Sequence, residues 1–242
     1  MSAMHRVAER EGFIVAYPAG TPGGSGLTWR PGGTGGARKT RDARFIGEMV
    51  LDLRQRYAID SARIFAAGFS IGGSLVYELA CLLADRIAAV AVVGGAMTSA
   101  TCEPARPVAL IHIHGTADRR VPVAGGRGPA TSATNKWRAV QEGIDRWREI
   151  NGCVGRPNVV RRAIEGVTGH QYFGTSDVEL WLVEGGGHAW PGGAPEGASI
   201  DDETARVGGF LASEKIWSFF AEHARGRRSS GRPPAPKDDG RD

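Results

Sequence analysis

Residues 63–86, RIFAAGFSIGGSLVYELACLLADR, run apolar, bend at glycines around a single serine, and continue with helical spacing. A strand that is apolar on both faces and feeds straight into a helix needs a parallel neighbour and a covering layer. The rest of the chain repeats the pattern. FIVAYP (13–18) reads as a buried strand, and a Gly/Pro-rich loop follows from Ala19 to about Lys39. In DARFIGEMVLDLRQRY (42–57), Phe45, Ile46, Met49, Val50 and Leu53 fall at helical spacing. ARIFAAG (62–68) is a strand and GSLVYELACLLAD (73–85) a helix; IAAVAVVGG (87–95) and PVALIHIHG (107–115) are strands. Residues 132–150, with Trp137, Ile144 and Trp147, read as a helix, and VELWLVEGG (178–186) as a strand. SEKIWSFFAEHA (213–224) ends the series as a helix with Ile216, Phe219, Phe220 and His223 on one face. The order predicts an α/β fold with a mostly parallel sheet flanked by helices.

The chain has 242 residues, 41% hydrophobic and 23% charged, which predicts one domain over 1–224. The last stretch, RGRRSSGRPPAPKDDGRD (225–242), reads as a disordered basic and Pro-rich tail. It carries six of the 30 Lys and Arg and three of the 26 acidic residues, leaving 24 basic against 23 acidic in the body. The basic pI is therefore largely the tail's, and no nucleic acid partner is expected. No apolar run reaches membrane-spanning length, and the first residues lack the apolar run of a signal peptide. Cys81, Cys102 and Cys153 match no zinc spacing. Cys81 reads as core, while Cys102 and Cys153 lie in loop-like segments and would be the pair in an oxidising compartment.

The corner itself, GFSIG (68–72), is a G-x-S-x-G match with a strand before and a helix after. Such a turn lifts the Ser70 hydroxyl above the sheet and aims the helix N-terminus at it, so the Ile71 N–H is an expected oxyanion donor. The alternative is that Ser70 only caps the helix. A serine hydroxyl needs a base. In a doubly wound hydrolase, acid and histidine follow the serine, each just past a later strand. HIHGTADRRVP supplies Asp118 and LVEGGGHAWPGG supplies His188. The alternatives are an ordinary Asx turn for Asp118 and a plain loop position for His188. Asp177, which precedes its strand, and Asp145, on a helix, are weaker candidates for the acid. His112 and His114 share a strand face, but without a third ligand nearby they read as core or rim histidines; no metal and no cofactor are expected. Phe69 and Trp190 are candidates to line an acyl or aromatic pocket, with Trp190 alternatively packing the histidine loop.

The pieces EREGFIVAYPAG, DARFIGEMVLDLRQRYAIDSARIFAAGFSIGG, HIHGTADRRVP, NGC (151–153) and ELWLVEGGGHAWPGG resemble the poly(3-hydroxybutyrate) depolymerase and feruloyl/acetylxylan esterase family of the α/β-hydrolase fold. The resemblance spans about Ala3 to His223. It implies Ser70 as nucleophile, Asp118 as acid and His188 as base, with esters of hydroxyacids, or of aromatic and acetyl acids on sugars, as substrates. It also implies an extracellular or periplasmic setting, with a cytoplasmic one as the alternative. Two departures stand out. Ile71 replaces the family's usual asparagine. The strand and HG loop that precede the first helix, and that supply a second oxyanion donor, have no counterpart before Phe13. The fold is therefore expected to lack its first strands through truncation or a misplaced start, and the activity to be low. A weakly active remnant, a peptidase and a lactone hydrolase are the rival readings.

Overall fold

The computed structural model describes residues 2–23, 26–31, 41–99, 101–130, 136–161, 165–193 and 209–225. The expected tail beyond Arg225, the start of the helix expected at 132 and parts of the 19–39 loop lie outside them.

Helix α1 (Met4–Glu11) leads to a short antiparallel pair, β1 (Thr21–Gly23) and β2 (Gly26–Thr28), and then to α2 (Arg41–Arg56). The main sheet is built from β3 (Phe65–Phe69), β4 (Ala89–Val93), β5 (Ala109–Gly115), β6 (Asn158–Arg161), β7 (Val167–Tyr172) and β8 (Val178–Val183). Helices α3 (Ile71–Leu82), α4 (Val140–Ile150) and α5 (Ala212–Glu222) flank it. Its order is β3-β4-β5-β8-β7-β6. The first four strands are parallel, and β7 and β6 pair antiparallel at the far edge.

Strand alternation sorts the core into two layers. Val90, Val92, Leu110, Val178 and Leu180 face α2, α3 and α4, where Tyr77, Ile144 and Trp147 are buried. Ala89, Ala91, Val93, Ile111, Ile113 and Val183 face α1 and α5, against Met4, Val7, Ile216, Phe219 and Phe220. Both faces are covered, which is why β4 is apolar throughout and β5 is buried along its whole length. Trp147 ties its layer to the sheet by donating to the Val108 carbonyl (2.9 Å), an acceptor it shares with the buried Asn151 amide (2.8 Å).

Two expectations are corrected. Residues 13–18 form no strand. The segment still alternates, with Phe13 and Val15 packed on the core and Ile14 and Tyr17 each 57% exposed. Phe13 stacks on Trp217 at 4.2 Å. Side-chain burial holds it in place without a ladder, because β3 is the edge of the sheet among the described residues and no described strand stands between the two. The helix expected at 132–150 begins only at Val140, and Trp137 instead makes a β-bridge with Gly126. The hairpin β6–β7 carries no clean apolar alternation in sequence. Its Gly169 sits opposite Trp181, whose indole covers it so closely that an added β-carbon would lie 2.7 Å from the ring.

The cysteine pairing is also corrected. Cys81, at the end of α3, is bonded to Cys102, with Cα atoms 5.7 Å apart. The Cys153 thiol instead faces the carbonyls of Tyr172 and Ser176 (3.6 and 3.5 Å). Burial, and then the charge of Asp177, push it up to about 11.

At the base of the sheet, His223 donates from Nδ1 to the Phe219 carbonyl (2.7 Å) and from Nε2 to Asp177 (3.0 Å). Both partners only accept, so the ring carries both protons. Burial opposes that charge, but the Asp177 hydrogen bond, the Phe219 carbonyl and the charges of Asp177 and Glu179 outweigh it and raise the pKa of His223 above the ordinary value. A raised folded value contributes stability fully below the ordinary histidine range and loses it as pH rises through the folded value. Replacing His223 with Gln is therefore expected to cost about 1–3 kcal/mol at pH near 5.5 and much less near pH 9, read by urea melts at both.

Candidate active site

Ser70 stands between β3 and α3 with φ 55° and ψ −121°. It shares a positive φ, among the described non-glycine residues, only with Ala3. A β-carbon held there costs about 1–3 kcal/mol, a strain that clusters at functional sites. The corner is locked from both sides: the Ser70 N–H donates to the Val93 carbonyl (2.9 Å) and the Ser74 N–H to the Ser70 carbonyl (3.1 Å). Its hydroxyl makes no cap to the helix that follows. It points instead at His188 Nε2, 2.8 Å away.

The two glycines of the corner differ in what they must do. A β-carbon on Gly68 would lie 2.2 Å from the Gly72 carbonyl oxygen, so the strand can approach the helix only without one. On Gly72 it would meet nothing closer than the Trp29 ring at 3.8 Å. Gly68→Ala is expected to destabilise by at least about 2–3 kcal/mol. Gly72→Ala is expected to be neutral or stabilising by up to about 1 kcal/mol, since alanine suits a helix better. Denaturant midpoints of the two variants check the contrast.

Asp118 lies in the loop after β5 and is buried. Its Oδ1 accepts from the N–H groups of Arg120 and Val121, both at 2.8 Å, and its Oδ2 accepts from His188 Nδ1 at 2.7 Å. The Asx turn is therefore present, and it is the device that aims the second oxygen. Burial works against the charge. The hydrogen bonds from His114, His188 and the Val121 N–H, with the charge of His188, more than offset it and hold the carboxyl well below the usual carboxylate range.

His188 follows β8 through three glycines. Gly115 and Gly186 fit together because a β-carbon on Gly115 would fall 2.2 Å from the Gly186 carbonyl oxygen, so the acid and histidine loops pack directly on each other. The Asp118 carboxylate can only accept, which puts the proton of a neutral His188 on Nδ1 and leaves Nε2 to accept from the serine. The side chain of His188 is only 11% exposed. Phe69 lies against the imidazole with ring centres 4.8 Å apart. Trp190 donates to the Ser213 hydroxyl (3.0 Å), which in turn donates to the Ser2 carbonyl, so the indole braces the histidine loop against the start of α5.

The structure thus brings Ser70, His188 and Asp118 into one hydrogen-bonded line at the carboxyl ends of parallel strands, where such sheets carry their sites. It leaves the other carboxylates elsewhere. Asp177 holds His223 below the sheet, and Asp145 bonds Gln141 and Arg148 on the outer face of α4. His112 and His114 are core residues, each 0–1% exposed and hydrogen-bonded. Among the described residues, no group of three or more His, Cys, Asp or Glu is placed to hold a metal ion. No described helix is long and apolar enough to cross a membrane. The spacing of His112 and His114 on one strand was visible in sequence, but their link to the Asp118 loop was not.

The phospholipase/carboxylesterase family model matches residues 38–143, somewhat under half of the chain. Feruloyl esterase B of Piromyces equi is 30% identical over 193 residues, 76% of this chain and 35% of that protein. Feruloyl esterase C of Emericella nidulans is 30% identical over 182 residues, covering 74% of this chain and 57% of its own length. A bifunctional acetylxylan esterase/xylanase of Neocallimastix patriciarum is 35% identical over 112 residues, 46% of this chain and 16% of that protein. The chain therefore spans between about a sixth and somewhat over half of these relatives. Among solved structures, the acetyl xylan esterase from Aspergillus awamori superposes with TM-score 0.61 at 15% identity, over 91% of this chain and 81% of that one. A variant of SOBER1 from Arabidopsis thaliana gives TM-score 0.56 at 13% identity, over 91% of both chains. The chain has the α/β-hydrolase fold, and in sequence it resembles feruloyl and acetylxylan esterases.

Proposed function

We propose that this chain is a serine carboxylic-ester hydrolase in which Ser70 is the nucleophile, His188 the general base and acid, and Asp118 the orienting carboxylate. The observation that carries the reading is the line Ser70 Oγ–His188 Nε2 (2.8 Å) and His188 Nδ1–Asp118 Oδ2 (2.7 Å), hung on a strained strand-to-helix turn. Ser70 attacks the ester carbonyl as its proton passes to His188 Nε2. The Asp118 carboxylate stabilises the imidazolium so formed. The Ile71 N–H, at the start of α3, is the proposed donor to the tetrahedral oxyanion. The collapsing intermediate expels the alcohol, which takes the proton from His188. Water activated by the same imidazole then releases the acid and restores the serine.

The likeness to feruloyl and acetylxylan esterases supports feruloyl or acetyl esters of sugars as the proposed substrate class. Phe69, beside the imidazole, is the proposed apolar neighbour of the acyl group. The Cys81–Cys102 bond supports an oxidising compartment, extracellular or periplasmic. A fluorophosphonate probe, followed by peptide mass mapping, is expected to label Ser70, and methyl ferulate, acetylated xylan and short-chain p-nitrophenyl esters are expected to include a substrate. Labelling elsewhere, or cleavage of peptides or lactones with none of these esters, would overturn the reading.

A further inference from the structure

A second line of polar groups runs through the core layer beneath α3 and α4 and ends at the acid loop. The Tyr77 hydroxyl lies 2.8 Å from His112 Nδ1, His112 Nε2 lies 2.9 Å from His114 Nδ1, and His114 Nε2 lies 2.8 Å from the Val121 carbonyl oxygen. Tyr77, His112 and His114 are all 3% exposed or less. Rings of the two histidines stack at 5.2 Å.

One end of the line can only accept, and that fixes every proton along it. A carbonyl takes no part as donor, so His114 carries its proton on Nε2. In the neutral ring, Nδ1 then accepts, which puts the proton of His112 on Nε2 as well. His112 Nδ1 accepts in turn, so the Tyr77 hydroxyl donates. A second proton on either ring would reverse or break that order and put a charge in a buried place. Burial first, and then the charge that His114 would carry if protonated, hold His112 well below its ordinary value, so the His112 ring is neutral. Burial likewise raises Tyr77, keeping its proton.

The terminal bond falls on the turn that aims Asp118. Val121 gives its N–H to Asp118 Oδ1 while its carbonyl receives His114 Nε2, and that same nitrogen stands 3.4 Å from Asp118 Oδ2. The turn 118–121 is thus gripped at both its beginning and its end by one buried imidazole. We propose that His114 is a positioning residue for the acid loop, with its Nε2 proton oriented by the directed line Tyr77–His112–His114, and that it keeps Asp118 Oδ2 on His188. Its kinetic consequence rests on the esterase reading; its geometric consequence does not.

The test uses the full chain labelled with ¹⁵N-histidine. In the unsubstituted protein at about pH 8, above the ordinary histidine range, His112 and His114 are expected to report neutral rings with the proton on Nε2. The His188 Nδ1 proton is expected as a far-downfield resonance. His114→Asn is too short to reach the Val121 carbonyl, whereas His114→Gln retains a donor of the right reach. In His114→Asn the downfield resonance is expected to broaden or vanish, and kcat on p-nitrophenyl acetate to fall by about 10²-fold with KM little changed, as small misplacements do. His114→Gln is expected to recover the resonance and most of the rate.

A charged ring or an Nδ1 proton on His112 or His114 would overturn the proposal, with no variant needed. So would an Asn variant that keeps both the resonance and kcat. The resonance is also read in Ser70→Ala protein. Failure of the esterase reading, seen as hydrolysis that survives Ser70→Ala, is therefore separated from failure of the positioning role, seen as a resonance indifferent to residue 114.

Discussion

Replacing Ser70 with alanine is expected to lower kcat on a short-chain p-nitrophenyl ester by about 10⁶-fold, with KM little changed. The loss is large because the hydroxyl that His188 Nε2 faces at 2.8 Å is the proposed nucleophile, and removing it removes the covalent route, not one contact among several. What remains is whatever the Ile71 N–H and substrate binding supply, which in comparable sites is about 10³–10⁴ over water. The fold should survive, since the backbone bonds to Val93 and from Ser74 hold the corner whatever the side chain. Steady-state rates beside a thermal melt check both halves. Unchanged hydrolysis in a folded variant would end the serine mechanism.

Asp118→Asn is expected to lower kcat by about 10⁴-fold. The Asn oxygen can keep the Arg120 and Val121 N–H groups, and the amide nitrogen is then left facing His188 Nδ1. A donor there drives the imidazole proton to Nε2, the atom that must accept from Ser70. The same substitution has a stability signature with a definite sign. The folded carboxyl is held below its ordinary range, so its contribution is present above the ordinary carboxylate value, about 3.9, and fades as pH falls through the folded one. The stability gap between the two proteins is therefore expected to be widest near neutrality and to close in acid. Urea midpoints at pH 7 and pH 3 measure it.

The parts of this molecule that could be read from sequence are those where a local pattern has one physical solution. Strands β3, β4, β5 and β8 are short apolar runs with glycine at or after their ends, and such runs settle in a parallel sheet with both faces covered. The GFSIG corner demanded glycine before its serine, and Gly68 has no room for a β-carbon. The acid and histidine candidates followed from chain order, because loops at the carboxyl ends of parallel strands converge on one edge. Asp118 and His188 meet there, 70 residues apart in sequence.

Residues 13–18 show where local pattern stops being sufficient. The segment has strand chemistry, yet a strand exists only when a neighbour supplies its hydrogen bonds, and the alternating burial of Phe13 and Val15 forms without one. The disulfide makes the same point. Cys81 looked like core and Cys102 like a loop residue, and nothing along the chain says that the end of α3 and the loop after β4 bring their Cα atoms to 5.7 Å.

The sequence alone determined the layering, the sharp serine corner and the local settings of Ser70, Asp118 and His188, since each depends on residues within a few positions of one another. Tertiary structure decided which cysteines join, that the first apolar segment pairs with no described strand, and that two core histidines reach the acid turn. Those outcomes depend on distances between segments far apart in the chain, and such distances are set only when the helices close over the sheet.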